Sequence, residues 1–160
     1  MIRFLPLLAL LAGSCGYHLA PTDRTVHVAL SSEGAVHPEA MPSVAESLAA
    51  RLRDEGLQLT SGEAQAEVDV VVQGTAEVPA FPMEGEDGRF APSAWDAQLS
   101  ARAVLRRANG TTTELGTFLA SGVESSGTTT SADDRAQASA YALASSVLAR
   151  KIVAALLAAW

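Results

Sequence analysis

The chain has 160 residues and a mass of 16.5 kDa, with 48% hydrophobic and 18% charged residues, which suits one domain with an apolar core and is too apolar for a disordered segment. Eighteen acidic residues against eleven basic ones give a formal charge of -7, and ten of the basic residues are arginine, with Lys151 the only lysine. No basic field is present to hold a phosphodiester backbone, so no nucleic acid is expected as a partner.

The first residues read as an export signal. Arg3 supplies a positive start, Phe4 to Ala12 form an apolar run, and the small residues Gly13 and Ser14 close it. The run is well short of the ~20 apolar residues a membrane-spanning helix requires, and Pro6 interrupts it. Cys15 follows at once, and as the only cysteine it has no disulfide partner within the chain. Leu11-Ala12-Gly13-Ser14-Cys15 resembles a bacterial lipobox, whose cysteine takes a diacylglyceryl group before cleavage and becomes the first residue of the mature protein. The alternative is an ordinary cleaved signal followed by an incidental cysteine. On the lipobox reading residues 1–14 are removed, residues 15–23 are a lipidated linker, and residues 24–160 form a single domain. Each buried methylene contributes ~0.8 kcal/mol, so one acyl chain binds marginally while two or three hold firmly. Gly16, rather than Asp, follows the cysteine, and resemblance to enterobacterial sorting rules implies the periplasmic side of the outer membrane.

Arg24 to Leu30 alternates as a short strand with Val26, Val28 and Leu30 on one face. After a polar loop, Ser43 with Glu46 matches a capping box, and Val44, Leu48 and Leu52 recur every fourth residue, which predicts an amphipathic helix ending at Gly56. Residues 66–78 are rich in valine and predict a long strand with Val68, Val70, Val72, Ala76 and Val78 on the buried face. Residues 79–93, with three prolines and the acidic tract Glu84, Glu86 and Asp87, read as a loop that interrupts the sheet. Alternation resumes at Trp95 and continues through Leu99 to Leu105, and Asn109-Gly110 predicts a two-residue turn into a strand from Thr111 to Val123. A second capping box, Ser131 with Asp134, opens a final helix reaching Trp160, with Tyr141, Ser145, Leu148, Ile152 and Leu156 as one stripe widened by Ala140, Leu143, Ala144 and Val147. The expected fold is therefore α+β: a two-layer sandwich of a mostly antiparallel four-stranded sheet with two helices packed on one face.

No familiar catalytic spacing occurs, and no enzymatic activity is expected. G-x-x-x-x-G-K, H-E-x-x-H, G-x-S-x-G and S-x-x-K are all absent, although a serine, base and acid brought together from separated positions would leave no such trace. His18, His27 and His37 are too widely spaced to form a recognisable metal site, so no metal is expected. The acidic tract lacks a calcium-loop register and reads as a solvated loop. Asn109-Gly110-Thr111 matches a glycosylation sequon, but the demands of a tight hairpin account for the same residues. The covalent lipid on Cys15, diacylglyceryl with N-acyl, is the only nonprotein group expected, and no cofactor is.

Cys15-Gly16-Tyr17-His18-Leu19 resembles the opening of mature lipopolysaccharide-assembly lipoproteins of the LptE family, and the resemblance continues through the helix from Val44 to Gly56, the run Ala66-Glu67-Val68-Asp69-Val70-Val71-Val72-Gln73-Gly74 and the alanine-rich final helix. The resemblance implies a noncatalytic outer-membrane subunit that sits within the large β-barrel LptD, plugs it, assists its assembly and contacts lipopolysaccharide. Phosphates of that ligand would favour arginine, whose planar fork suits bidentate contact. Arg102, Arg106 and Arg107 are the basic cluster on a strand and so the candidate lipopolysaccharide contacts, or else they keep an exposed hairpin end soluble and protected against edge pairing. An auxiliary lipoprotein of a lipid-transport ABC system would share export, lipidation and fold, and stands as the alternative function.

Overall fold

A computed structural model describes residues 24–34, 36–84, 90–126 and 130–160. The expected signal, the expected lipidated linker with Cys15 and His18, and Glu86 and Asp87 of the acidic tract lie outside the described residues. The elements in chain order are β1 (Thr25–Ser32), α1 (Ala40–Asp54), β2 (Gln58–Leu59), β3 (Ala66–Glu84), β4 (Phe90–Arg107), β5 (Thr112–Ser125) and α2 (Thr130–Ala159). They build an α+β sandwich in which both helices contribute to one core with a single face of the sheet.

The sheet departs from the expected one. It has five strands in the order β2-β1-β3-β4-β5, and two of its four pairings, β1 with β2 and β1 with β3, are parallel. The parallel pairings follow from α1, which returns the chain to the end of the sheet where β1 begins. Strand β2 is only two residues long, too short for any hydrophobic period, and pairs Gln58 with Thr25 and Leu59 with Val26.

Two bulges reset the alternation on which the strand expectations rested. Val72 pairs with Ala101 but Gly74 pairs with Ser100, so Gln73 is an extra residue in β3. Beyond it Thr75, not an even-numbered residue, stands opposite buried Leu99, and Ala76 and Val78 stand opposite Gln98 and Asp96 of the polar face. The expected continuous face from Val68 to Val78 is therefore broken at Gln73. In β5 the extra residue is Leu115, since Ala103 pairs with Gly116 and Val104 with Glu114, and Gly116 takes a φ of 116° that a side chain would resist.

The loop expected at residues 79–93 is mostly strand. Pro79 pairs with Trp95, Pro82 with Pro92 and Glu84 with Phe90. Here β3 has run past the end of β1, whose last partner is Val72, and β4 past the end of β5, whose last partner is Ala94. The two strands thus become edges, where a missing proline N–H is tolerated. At the other end of β4 the hairpin loop holds three residues, Ala108 to Gly110, rather than two. The N–H of Arg107 donates to the carbonyl of Thr111, and Gly110 occupies the left-handed region with φ 84°.

The helices bury the predicted stripes. Val44, Leu48 and Leu52 of α1 are buried together with Ala40. The helix begins at Ala40, ahead of the Ser43 and Glu46 box, and Glu39 at its N-cap makes no side-chain cap. It ends as expected at Gly56, where the N–H of Gly56 donates to Arg53 and that of Leu57 to Leu52. This paired arrangement, with φ 75° at Gly56 and buried Leu57 beneath, stops a helix without a steric cost. Helix α2 begins at Thr130, one residue before the predicted box. Its Tyr141, Ser145, Leu148, Ile152 and Leu156 are all buried, with Ala140 and Ala144 beside them. Leu143, expected in the same stripe, is instead 44% exposed.

Leu143 is displaced because small residues make the contact between α2 and β5. A methyl group on Gly122 would overlap the carbonyl oxygen of Ala140 and come within 2.5 Å of the backbone nitrogen of Ala144. The helix backbone therefore rests directly on the strand, and residues flanking that line are pushed outward. At the far end of α2, the indole Nε1 of Trp95 and the hydroxyl of Ser126 both donate to Oδ1 of Asp133, each at 2.6 Å, and fix its first turn to the sheet. Between the helices the ring of His37 stacks on Tyr141 at 4.7 Å.

Two stability predictions follow from this packing. Gly122→Ala sets a side chain against helix backbone, so it should lower unfolding stability by about 3 kcal/mol, the upper end of overpacking costs, as read from the urea midpoint. Ser145 is wholly buried with no partner for its hydroxyl among the described residues, so Ser145→Ala should raise stability by about 1 kcal/mol in the same assay, whereas a loss would show that the hydroxyl is bonded in solution.

Candidate functional surface

With both helices on one side, the other face of the sheet carries polar and charged side chains interspersed with exposed aliphatic ones. Along β3 it presents Glu67, Asp69 and Val71; along β4 Gln98, Ser100, Arg102 and Arg106; along β5 Thr117, Leu119, Ser121 and Val123. The pleat dictates this, since residues opposite Leu99, Ala101 and Leu105 enter the core and their neighbours cannot.

The structure divides the three candidate arginines. Arg106 stands opposite Glu67 and places Nη2 2.8 Å from Oδ2 of Asp69, an ion pair whose angle lies outside hydrogen-bond geometry. Glu67 in turn has His27 Nδ1 at 3.7 Å, so Arg106 belongs to a row of ionisable side chains across β1, β3 and β4. Cross-strand pairs of opposite charge contribute roughly 0.2–1 kcal/mol each, which is a sufficient structural reason for this row.

Arg107 points to the helix side. Its Nη1 donates to Thr113 Oγ1 at 3.0 Å, and its Nη2 donates to the carbonyl of Ala159. A guanidinium at the last carbonyls of α2 both satisfies an acceptor and meets the negative end of the helix dipole. Close by, the guanidinium of Arg24 lies 5.5 Å from the ring of Trp160. Arg107 therefore ties the hairpin end of the sheet to the end of α2.

Arg102 is exposed, between Val71 and Thr117, and has no ion-pair partner among the described residues. A cleft of about 510 Å³ lies on the other side of the sheet, under α2, lined by Thr75, Leu99 and Ala120, by Val147 and Lys151 of the helix, and by Gly74 and Ser100 of the strands. The bulge at Gln73 brings Gly74, which has no side chain, opposite Ser100. Lys151 reaches from α2 to donate to the carbonyl of Leu119 at 2.6 Å, and the Leu119 side chain is 67% exposed. Arg102, an exposed cation on the open face, therefore suits contact with an anionic group, while Lys151 belongs to the helix side.

Among the described residues no three of His, Cys, Asp and Glu are grouped to hold a metal ion. His27 sits on the open sheet face and His37 between the helices. The sequence singled out the arginines by their adjacency, but adjacency on a strand places neighbours on opposite faces. Lys151 and the cleft had no sequence signal, because they depend on how α2 lies across β5.

The division of the arginines is testable by stability. Arg107→Ala should cost about 1.5–3 kcal/mol, since charged hydrogen bonds at a half-buried site are lost, while Arg102→Ala should change stability by less than about 0.5 kcal/mol. Equal effects in thermal or urea unfolding would contradict the assignment.

No protein-family model matches the chain, and no curated protein matches its sequence. Solved structures do resemble it. A Caulobacter crescentus protein classed as a lipoprotein has a TM-score of 0.52 at 16% identity, over 86% of this chain and 90% of that one. Rare lipoprotein B from Shewanella oneidensis has a TM-score of 0.51 at 10% identity, over 83% and 95%. A minor lipoprotein from Acinetobacter baumannii has a TM-score of 0.51 at 12% identity, over 85% and 94%. At these identities the likeness is one of fold, and the fold is one that bacterial lipoproteins use.

Proposed function

We propose that the chain is a lipid-anchored, noncatalytic subunit of the outer membrane that sits within an LptD-like β-barrel, assists its assembly and takes part in moving lipopolysaccharide to the surface. The observation that carries this reading is Cys15-Gly16-Tyr17-His18-Leu19 directly after an export signal, on a chain whose domain has a fold shared with bacterial lipoproteins. The open sheet face supports it. A protein held in the lumen of a barrel meets polar walls, and a face of paired strands with polar side chains suits that surface. A lipid on Cys15 would confine the domain to the membrane plane and raise its effective concentration at the barrel. Arg102 is the group on that face suited to a phosphorylated ligand.

Affinity purification from native envelopes in mild detergent, with mass spectrometry of the partner and of the amino-terminal peptide, tests the reading. The expected result is a large outer-membrane barrel together with acyl chains on Cys15. Recovery of an ABC transporter, or an unmodified Cys15, overturns it. In the recovered complex Arg102→Glu should lower lipopolysaccharide retention several-fold and leave the amount of barrel unchanged; unchanged retention removes Arg102 from the ligand site.

A further inference from the structure

The outer edge of β5 is bordered by exposed aliphatic side chains on both of its faces. Strand β5 ends the sheet, and among the described residues only β4 pairs with it. The hairpin sets the phase of that pairing. The N–H of Arg107 donates to the carbonyl of Thr111, so every second residue of β4 from Arg107 turns its backbone groups toward β5. Leu119, Ser121 and Val123 stand opposite Ser100, Gln98 and Asp96, which fall between those residues. The N–H and carbonyl groups of Leu119, Ser121 and Val123 therefore point to the outer side, where the ammonium of Lys151 meets the carbonyl of Leu119. Leu119 and Val123 are exposed on the open face, and Leu143 is exposed on the helix side beside Gly122, where an added Cβ would lie 2.7 Å from that of Leu143. These are three of the four large exposed hydrophobic side chains among the described residues, and the fourth is Leu59. Outward-pointing backbone groups flanked by apolar side chains are the geometry by which an extended segment joins a sheet.

We infer that this edge receives one extended segment of a partner protein, antiparallel to β5. It carries an apolar residue opposite each of Leu119, Gly122 and Val123, an acidic residue opposite Ala120 and a basic residue opposite Glu124. The charges follow from the two ends of the helix side. Lys151 lies at the Leu119 end, and Glu124, which accepts from the hydroxyl of Ser139, lies at the other. A carbonyl oxygen accepts two hydrogen bonds, so Lys151 leaves Leu119 able to pair. The residue opposite Gly122 meets Leu143, since Gly122 offers no side chain of its own.

A second copy of this chain does not fit the edge. Antiparallel pairing of β5 with itself would hold the two strands about 4.8 Å apart. Each α2 rests with its backbone on Gly122, so the two helices would approach to a similar spacing, whereas packed helices need about 8–10 Å between axes. Helix α2 runs along β5, from Ser139 beside Glu124 to Lys151 beside Leu119, so a slipped register does not part them. The occupant is therefore a strand with no helix over it. The inference does not depend on which protein the open sheet face meets.

Fluorescence anisotropy of a labelled peptide with the core Lys-Val-Leu-Thr-Asp-Val, titrated with the full-length protein in mild detergent, tests it. In order, these residues fall opposite Glu124, Val123, Gly122, Ser121, Ala120 and Leu119. Saturable binding is expected, with a Kd of about 100 µM or tighter. N-methylation of the peptide threonine, whose N–H meets Ser121, should weaken binding at least tenfold, and N-methylation of its leucine, whose N–H points away, should leave it unchanged. Glu124→Lys/Lys151→Glu should weaken binding several-fold, and a peptide with its lysine and aspartate exchanged should restore it, which a misfolded variant would not allow. Absence of binding, or equal binding of the two N-methylated peptides, overturns the proposal. Hydrogen exchange without peptide gives the remaining outcome: protection of the Leu119, Ser121 and Val123 amides that grows with protein concentration would assign the edge to a second copy and overturn it as well.

Discussion

Direct contact between the backbone of α2 and β5 at Gly122 sets the arrangement of the rest. A helix held this close covers β4 and β5 with small residues, Ala140 and Ala144, and its large residues Tyr141, Leu148, Ile152 and Leu156 fill the space toward α1 and the valines of β3. The core then lies entirely on one side of the sheet. Helix α2 is the one helix among the described residues long and apolar enough to cross a membrane, and its stripe is part of that core. Asp133 at its start and Arg107 at its end fasten it to the sheet by hydrogen bonds, so its position is fixed at both ends as well as in the middle.

A one-sided core leaves a sheet face for other work, and the two bulges shape that face. Without the extra residue at Gln73, Thr75 would point away from the helices; with it, Thr75 accepts a hydrogen bond from the N–H of His37 at the start of the helix layer and lines the cleft under α2. Charge on the face is largely paired off, as in the row His27, Glu67, Arg106 and Asp69. Arg102 stands apart from that row, exposed and without an ion-pair partner among the described residues, so it is chemically different from the salt-bridged surface around it.

Much of this was legible in the residues. The period of Val44, Leu48 and Leu52, the glycine at position 56 and the stripe from Tyr141 to Leu156 each state a helix and its buried face, because local geometry alone decides which residues align. Strand alternation likewise gave the core residues from Val68 to Val72 and from Ala97 to Leu105. What stayed hidden depends on partners distant in sequence. Two residues at Gln58 and Leu59 carry no period, and only β1 makes them a strand. Pro79, Pro82 and Pro92 read as a loop until their strands are seen to be edges. Arg102, Arg106 and Arg107 read as one cluster, although the pleat sends Arg107 to the other side. The expectation at Cys15 has a different footing, since it rests on a resemblance to a short motif and on no feature of the folded domain.

The central claim is that the helix-free face is the working surface of a subunit seated in an outer-membrane barrel. Site-specific photo-crosslinking in intact cells tests it directly, with the reactive residue placed in turn at Arg102 and Thr117 on the sheet face and at Glu46 and Ala142 on the outer sides of the helices. The account predicts adducts to a large outer-membrane protein from the sheet positions and none from the helix positions. Adducts formed only from the helix positions, or none to an outer-membrane protein from either face, would contradict it.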